Sequence, residues 1–117
     1  MINNITTKNL ILLHLKTTNE TLYKAISKEL QQRNINRHYS HTTWLDDKDI
    51  KIDTRFVSDR LCYETIVINT NYFKELDCMF APTIESAEKN HKKLYKKYLT
   101  KWKIYDILQL TKQRENT

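Results

Sequence analysis

Residues 82–105 read PTIESAEKNHKKLYKKYLTKWKIY, and how this stretch folds decides the architecture. Pro82 has no backbone N–H to give a strand ladder, so the chain changes state there. Thr83 offers a side-chain oxygen to a helix start, and Glu85 puts a carboxylate in the first turn, where the helix dipole favours it. From Ile84 onward, Ala87, His91, Leu94, Tyr98, Trp102, Tyr105 and Leu108 recur at helical spacing. The pattern predicts one long amphipathic helix over 83–112, with a bend near Thr100 and a frayed tail over 113–117.

Between those apolar positions stand Lys89, Lys92, Lys93, Lys96, Lys97, Lys101 and Lys103, with Tyr95 and Tyr98 among them. Residues 1–82 carry eleven Lys or Arg against ten acids, and residues 83–117 carry nine against four. Five of the six net positive charges therefore belong to the last segment. Lysines on one helix can neutralise phosphates and displace their counterions, and tyrosines can stack on bases, which is the nucleic-acid reading of this stretch. A merely solvated helix face has the same composition. Lysine without arginine argues against base-specific readout, because bidentate contact to guanine is mostly made by arginine.

Upstream of Pro82 the period changes from that of a helix to that of a strand. Ile50, Ile52, Thr54 and Phe56 alternate, as in a strand with one buried face. Ser58, Asp59 and Arg60 supply a turn, and Leu61 to Ile68 form a second strand rich in β-branched and aromatic residues. Asn69, Thr70 and Asn71 turn the chain again. Tyr72 to Phe80 give a further short strand, interrupted near Glu75 to Asp77. The result is an antiparallel β-meander of three or so strands over 50–81.

Residues 36–49 have no clean period and end in Asp46, Asp47, Lys48 and Asp49, so they are read as a long loop. Residues 5–35 are read as a helical hairpin that covers the sheet. Leu10 and Leu13 give a short stripe with Thr6 or Thr7 as N-cap, and Asn19 caps a second helix carrying Leu22, Tyr23, Ile26 and Leu30. Asn34 ends it. A helix-turn-helix is the alternative for this pair, disfavoured by a connection without glycine and by the modest charge of its second helix. The fold class is thus α+β, a single domain of 117 residues with one hydrophobic core.

The chain contains no glycine. Glycine-dependent dinucleotide fingerprints and phosphate-cradling loops are excluded. Turns needing positive φ fall to Asn34, Asn36, Asn69, Asn71 and Asp59. No apolar run approaches the roughly 18 residues that cross a bilayer, and the start of the chain lacks the pattern of a secretory signal. The expected location is the cytoplasm. There Cys62 and Cys78 are expected as reduced thiols, although their places beside a strand pair make a disulfide conceivable.

Candidate chemistry is sparse. His38 and His41 lack two further zinc ligands at suitable spacing, and Asp46, Asp47 and Asp49 lack the glycine and closing glutamate of a calcium loop. No metal and no cofactor are expected. A nuclease-like set of His38, His41, Asp53 and Glu64 can be written down without any spacing that demands it, as can a hydrolase or nucleotide-sponge set of His38, His41 and Arg55. His91, on the apolar stripe, fits a hydrogen-bonded core histidine better than a catalytic one. The expected protein is not an enzyme.

Tyr63-Glu64-Thr65-Ile66-Val67, together with Thr83, Glu85, Ala87 and His91, resembles a group of small tailed-phage proteins of unassigned function. Their strand reads aromatic-Glu-Thr-Met-Val, followed by a Leu-Asp turn matched by Leu76 and Asp77. Their helix opens with Thr, Glu and Ala and closes on Gly-His. Ile66 stands for the usual Met and Asn90 for the usual Gly, and the likeness covers roughly residues 50–95. The resemblance implies a phage or prophage origin and a β-hairpin-plus-helix core. It also implies an accessory protein that occupies a host protein or nucleoprotein, such as a defence component, inside the host cytoplasm. On that reading Arg37, Tyr39, His41 and Trp44 make the partner contact, with Tyr39 and Trp44 as anchors. Association with a second copy of the chain is compatible with the same composition.

Overall fold

In a computed structural model, the structure describes residues 2–45 and 49–115, with side chains through Lys101 and at Leu108. After a 3₁₀ turn at Ile2–Asn4 come α1 (Thr7–Lys16), α2 (Glu20–Gln32), β1 (Ser40–Leu45), β2 (Ile50–Val57), β3 (Cys62–Asn69), β4 (Lys74–Ala81) and α3 (Ile84–Glu115). The α+β class holds, with four antiparallel strands in the order β1-β2-β3-β4.

Each helix starts at a side-chain cap. Thr6 accepts from the Asn9 amide and Asn19 from the Leu22 amide. Thr83 Oγ1 accepts from the Ser86 amide at 3.2 Å, and the Ser86 hydroxyl donates back to the Thr83 carbonyl at 3.1 Å. Asn34 does double duty. Its left-handed backbone, φ 64°, ends α2, while its carbonyl and side-chain oxygens accept from the amides of Ile84 and Glu85. One residue thereby satisfies donors that α3 would otherwise leave orphaned and ties the helical hairpin to the start of α3.

Several expectations are corrected. Residues 36–49 are not all loop: Ser40–Leu45 pairs with β2 from Ser40 opposite Arg55 to Leu45 opposite Ile50. The strand was hidden because its helix-facing residues His41 and Thr43, like Tyr39 just before it, are polar, which erases the alternation of apolar and polar. The helical hairpin does not cover the sheet. Leu10, Ile11, Ile26, Leu30 and Ile35 form their own cluster, touching the strand region through Phe56 and Leu61 at the β2–β3 turn. It is α3 that lies on the sheet, burying Ile50, Ile52 and Val67 under Leu94 and Tyr98, and Tyr63 and Ala81 against Ala87. The helix also continues to Glu115, past the expected tail at 113.

Positive φ is taken by Asn34, Asp49, Leu61 and Phe73. Of the five residues expected to do this, only Asn34 does. In a chain without glycine the β2–β3 and β3–β4 turns put Leu61 and Phe73 into a region that costs a side-chain-bearing residue about 1–2 kcal/mol. The interruption expected near Glu75 to Asp77 is a register shift: Val67 pairs with Asp77 and Ile68 with Glu75, so Leu76 is the extra residue of a bulge.

Candidate functional site

The inward side of α3 meets β1 through a chain of polar groups. Tyr39 donates its hydroxyl to Glu88 Oε1 in a short hydrogen bond. His41 Nδ1 lies 3.0 Å from both Glu88 oxygens. Burial pushes the Glu88 carboxyl up, but the hydrogen bonds from Tyr39 and His41 outweigh it and hold the group below its ordinary value. An ionised carboxylate only accepts, so His41 Nδ1 carries the proton. Tyr39 is raised to about 12 by burial and by its bond to Glu88.

The His41 ring stacks on His91 at 3.9 Å and 11°. His91 is 2% exposed, with Nε2 at 2.8 Å from Thr43 Oγ1 and Nδ1 at 2.7 Å from Thr54 Oγ1. Thr54 in turn bonds Thr65 at 2.8 Å. Burial first, and the neighbouring His41 second, push His91 below the ordinary histidine value, so it is held neutral.

A histidine oriented by a carboxylate is half of a general-base arrangement. Among the described residues the hydroxyl that would complete it is engaged elsewhere. Thr43, the hydroxyl near His41 Nε2 at 3.5 Å, is already bonded to His91. The cluster's chemistry is that of a polar staple holding β1 to α3, with His91 as the hydrogen-bonded core histidine the spacing suggested. Glu88, Thr43 and Thr54 were not singled out from the sequence. The available signal was a Glu three residues before a stripe histidine, together with threonines at inward strand positions.

The other sequence-based sets are dispersed. His38 turns to Tyr23, whose hydroxyl lies 3.2 Å from Nε2, while His41 turns to α3. Asp53 and Arg55 pair with each other on the sheet face away from α3, and Glu64 faces Arg55 there. Neither the nuclease-like nor the hydrolase set is therefore assembled. Among the described residues no group of three or more His, Cys, Asp or Glu is placed to hold a metal ion. Cys62 and Cys78 are free. Cys78 sits opposite Ile66, four residues along β3 from Cys62, roughly 13 Å of strand and beyond disulfide reach. Burial raises both thiols, Cys78 to about 11, so neither is an activated nucleophile.

Of the four expected partner contacts, three are partly exposed and hydrogen-bonded within the fold. Arg37 donates Nε to His14 Nδ1 at 2.7 Å, and Tyr39 and His41 are bound to Glu88. Trp44 remains open at 49% exposure, on the sheet face away from α3, with Lys51 Nζ 5.6 Å from its ring centroid. Phe80, 43% exposed, lies on that same face, and neither residue belongs to a cluster packed against a helix.

The outward side of α3 carries Lys89, Lys92, Lys93, Lys96, Lys97 and Lys101, all exposed. Residues 89–101 span about 18 Å of helix. Lys97 bonds Asp77 at 2.7 Å, which holds the aspartate below its ordinary value, and Lys89 is 3.9 Å from Glu85. Lys92, Lys93, Lys96 and Lys101 have no ion pair among the described residues. The Lys103 side chain lies outside the described residues, as do those of Trp102 and Tyr105.

The interleaved tyrosines are a correction. Tyr98 is buried, its hydroxyl donating to the Leu76 carbonyl at 3.2 Å, and Tyr95 packs against the same core cluster. Tyr98 is thereby withdrawn from base stacking, while Tyr95 keeps part of its ring at the surface. Among the described residues no helix is long and apolar enough to cross a membrane. In comparisons with known proteins, no family model, curated protein or solved structure matches the chain.

Proposed function

We propose that the chain is a non-enzymatic binding protein that seats on the phosphate backbone of nucleic acid, free or within a nucleoprotein, through the lysine face of α3. The observation that carries this reading is the set Lys92, Lys93, Lys96 and Lys101, exposed over the outward half of α3 with no ion pair among the described residues. Its chemistry is that of a polycation track. Ammonium groups contact phosphates as point charges and read no base edges, so little sequence preference is expected.

If those four lysines each neutralise one phosphate, the log–log salt slope on duplex DNA is about −3.6, and affinity falls about a hundredfold between 50 and 200 mM salt. Fluorescence anisotropy with a labelled duplex measures both. Replacing Lys92, Lys93 and Lys96 together by Gln should bring the slope to about −0.9, while stability moves by less than about 0.5 kcal/mol. Salt-independent affinity, or a triple variant that binds like the parent, overturns the reading.

A second reading rests on Trp44. The resemblance to phage accessory proteins favours a host protein partner, and a half-exposed tryptophan on an open sheet face is a suitable anchor. On this reading capture of a host protein survives nuclease treatment and is lost in Trp44→Ala. Capture that disappears with nuclease returns the case to α3.

A further inference from the structure

The helical hairpin holds a cavity of about 290 Å³ at its junction with the segment leading to β1. Its apolar floor is Leu30 and Ile35, both buried. One wall is His14 from α1, stacked on Tyr23 of α2 at 4.0 Å and 17°. Its volume is at the small end of ligand sites, which run to about 300–1,000 Å³, so it suits one small molecule.

The polar side looks at first like a nucleophile pair, because His14 Nε2 is 2.7 Å from Ser27 Oγ. Arg37 removes that possibility. A guanidinium has no acceptor and keeps its protons, so the bond from Arg37 Nε makes His14 Nδ1 the acceptor. Burial, then the charges of Arg37 and His38, push His14 below its ordinary value and keep it neutral. The single ring proton of His14 is therefore on Nε2, donated to Ser27. The serine cannot lose its proton to this ring, and its own hydroxyl hydrogen has no acceptor among the described residues.

The free donors of the lining are consequently concentrated at one place. The terminal amino groups of Arg37 make no hydrogen bond or ion pair among the described residues, and beside them the Ser27 hydroxyl keeps its hydrogen, while Tyr23 and His38 are bonded to each other. No carboxylate lines it. A fork of guanidinium donors, oriented by a buried histidine beside a hydroxyl, is complementary to a planar or tetrahedral oxyanion.

We infer that this cavity is a binding site for a small organic oxyanion, a phosphate monoester or a carboxylate, held at its head by Arg37 and Ser27 and along its body by Leu30 and Ile35. The site is separate from the lysine face, since no lining residue lies on α3.

The test is an NMR titration of the full chain with phenyl phosphate, benzoate and inorganic phosphate in turn. Saturable shifts are expected at the Ser27 and Arg37 amides and the His14 ring, with phenyl phosphate or benzoate binding more tightly than inorganic phosphate. Whichever organic probe binds better identifies the head group. Arg37→Gln should weaken binding about tenfold or more, the loss of one charge-assisted hydrogen bond. Ser27→Ala, which leaves the Arg37–His14 bond in place, should weaken it by a smaller factor and serves if Arg37→Gln fails to fold. Absence of saturation into the millimolar range with all three probes, shifts confined to the α3 lysines, or affinity indifferent to both variants overturns the site. Duplex binding unchanged in Arg37→Gln keeps this result distinct from that for the lysine face.

Discussion

Along α3, two neighbouring stretches meet one sheet with opposite chemistry. Around Leu94 and Tyr98 the helix buries Ile50, Ile52 and Val67. One turn earlier, His91 meets Thr43 and Thr54, and Glu88 meets Tyr39 and His41. The apolar stretch draws on burial, which is non-directional and roughly proportional to area. The polar stretch depends on every donor finding its acceptor, and leaving one unmade costs more than the bond itself contributes. The first tolerates rearrangement, whereas the second specifies one position of β1.

The largest test of this contrast is Leu94→Ala, expected to destabilise by about 2–5 kcal/mol through lost burial and a cavity, measured by urea denaturation. His91→Ala should cost less, about 1–3 kcal/mol, by leaving the Thr43 and Thr54 hydroxyls without their ring partner. The signature of the polar stretch is local: amide exchange in β1 should accelerate in His91→Ala and not in Leu94→Ala. If the two variants loosen β1 equally, the distinction between the stretches is broken.

Protonation sharpens it further. The folded-state pKa of His91 lies below the ordinary 6.5, so the unfolded chain binds the proton first and stability present above about pH 6.5 is lost as pH falls towards the folded value. Glu88, also lowered, acts in the same direction at more acidic pH. Asp53 and Glu88 oppose the effect at His91 by favouring its charged form, while His41 adds to it. Denaturation midpoints should therefore drop on acidification from pH 7 to 5, and His91→Gln, which cannot titrate there, should flatten that part of the profile. On the alkaline side Tyr39, raised to about 12, should cost stability as pH climbs beyond the ordinary value of 10.0.

The smallest effect is a control outside both stretches. Phe73 is 90% exposed and sits at φ 50°. Phe73→Gly should stabilise by up to about 1 kcal/mol, relief of a left-handed conformation offset in part by the entropy of glycine in the unfolded chain. A thermal melt that moves down instead would mean that the exposed ring makes a contribution its surroundings do not indicate.

How much could be read beforehand follows the same division. The long helix, its Thr83 cap, β2, β3 and the ending of α2 at Asn34 were legible because each rests on local periodicity or on a cap within a few residues. The lysine face was legible for the same reason, as angular position on a helix follows from spacing alone. β1 was not, because Tyr39, His41 and Thr43 show no hydrophobic alternation and acquire their burial from residues almost fifty positions away. The bonds that Arg37, Tyr39 and His41 make within the fold were hidden on the same ground. Polar side chains in an unpatterned segment look exposed until Glu88 and His14 are brought to them.

By itself, then, the order of residues determined where the helices and the strands after residue 49 run, that the last helix is cationic, and that glycine-based phosphate loops are excluded. Only the tertiary structure decided which polar residues are buried together, that Leu61 and Phe73 take turn geometries usually left to Asn or glycine, and that Arg37 fixes the proton of His14 beside a cavity. The physical reason is range: periodicity and capping act over one to four residues, whereas a buried hydrogen-bond network exists only once distant strands and helices have closed around it.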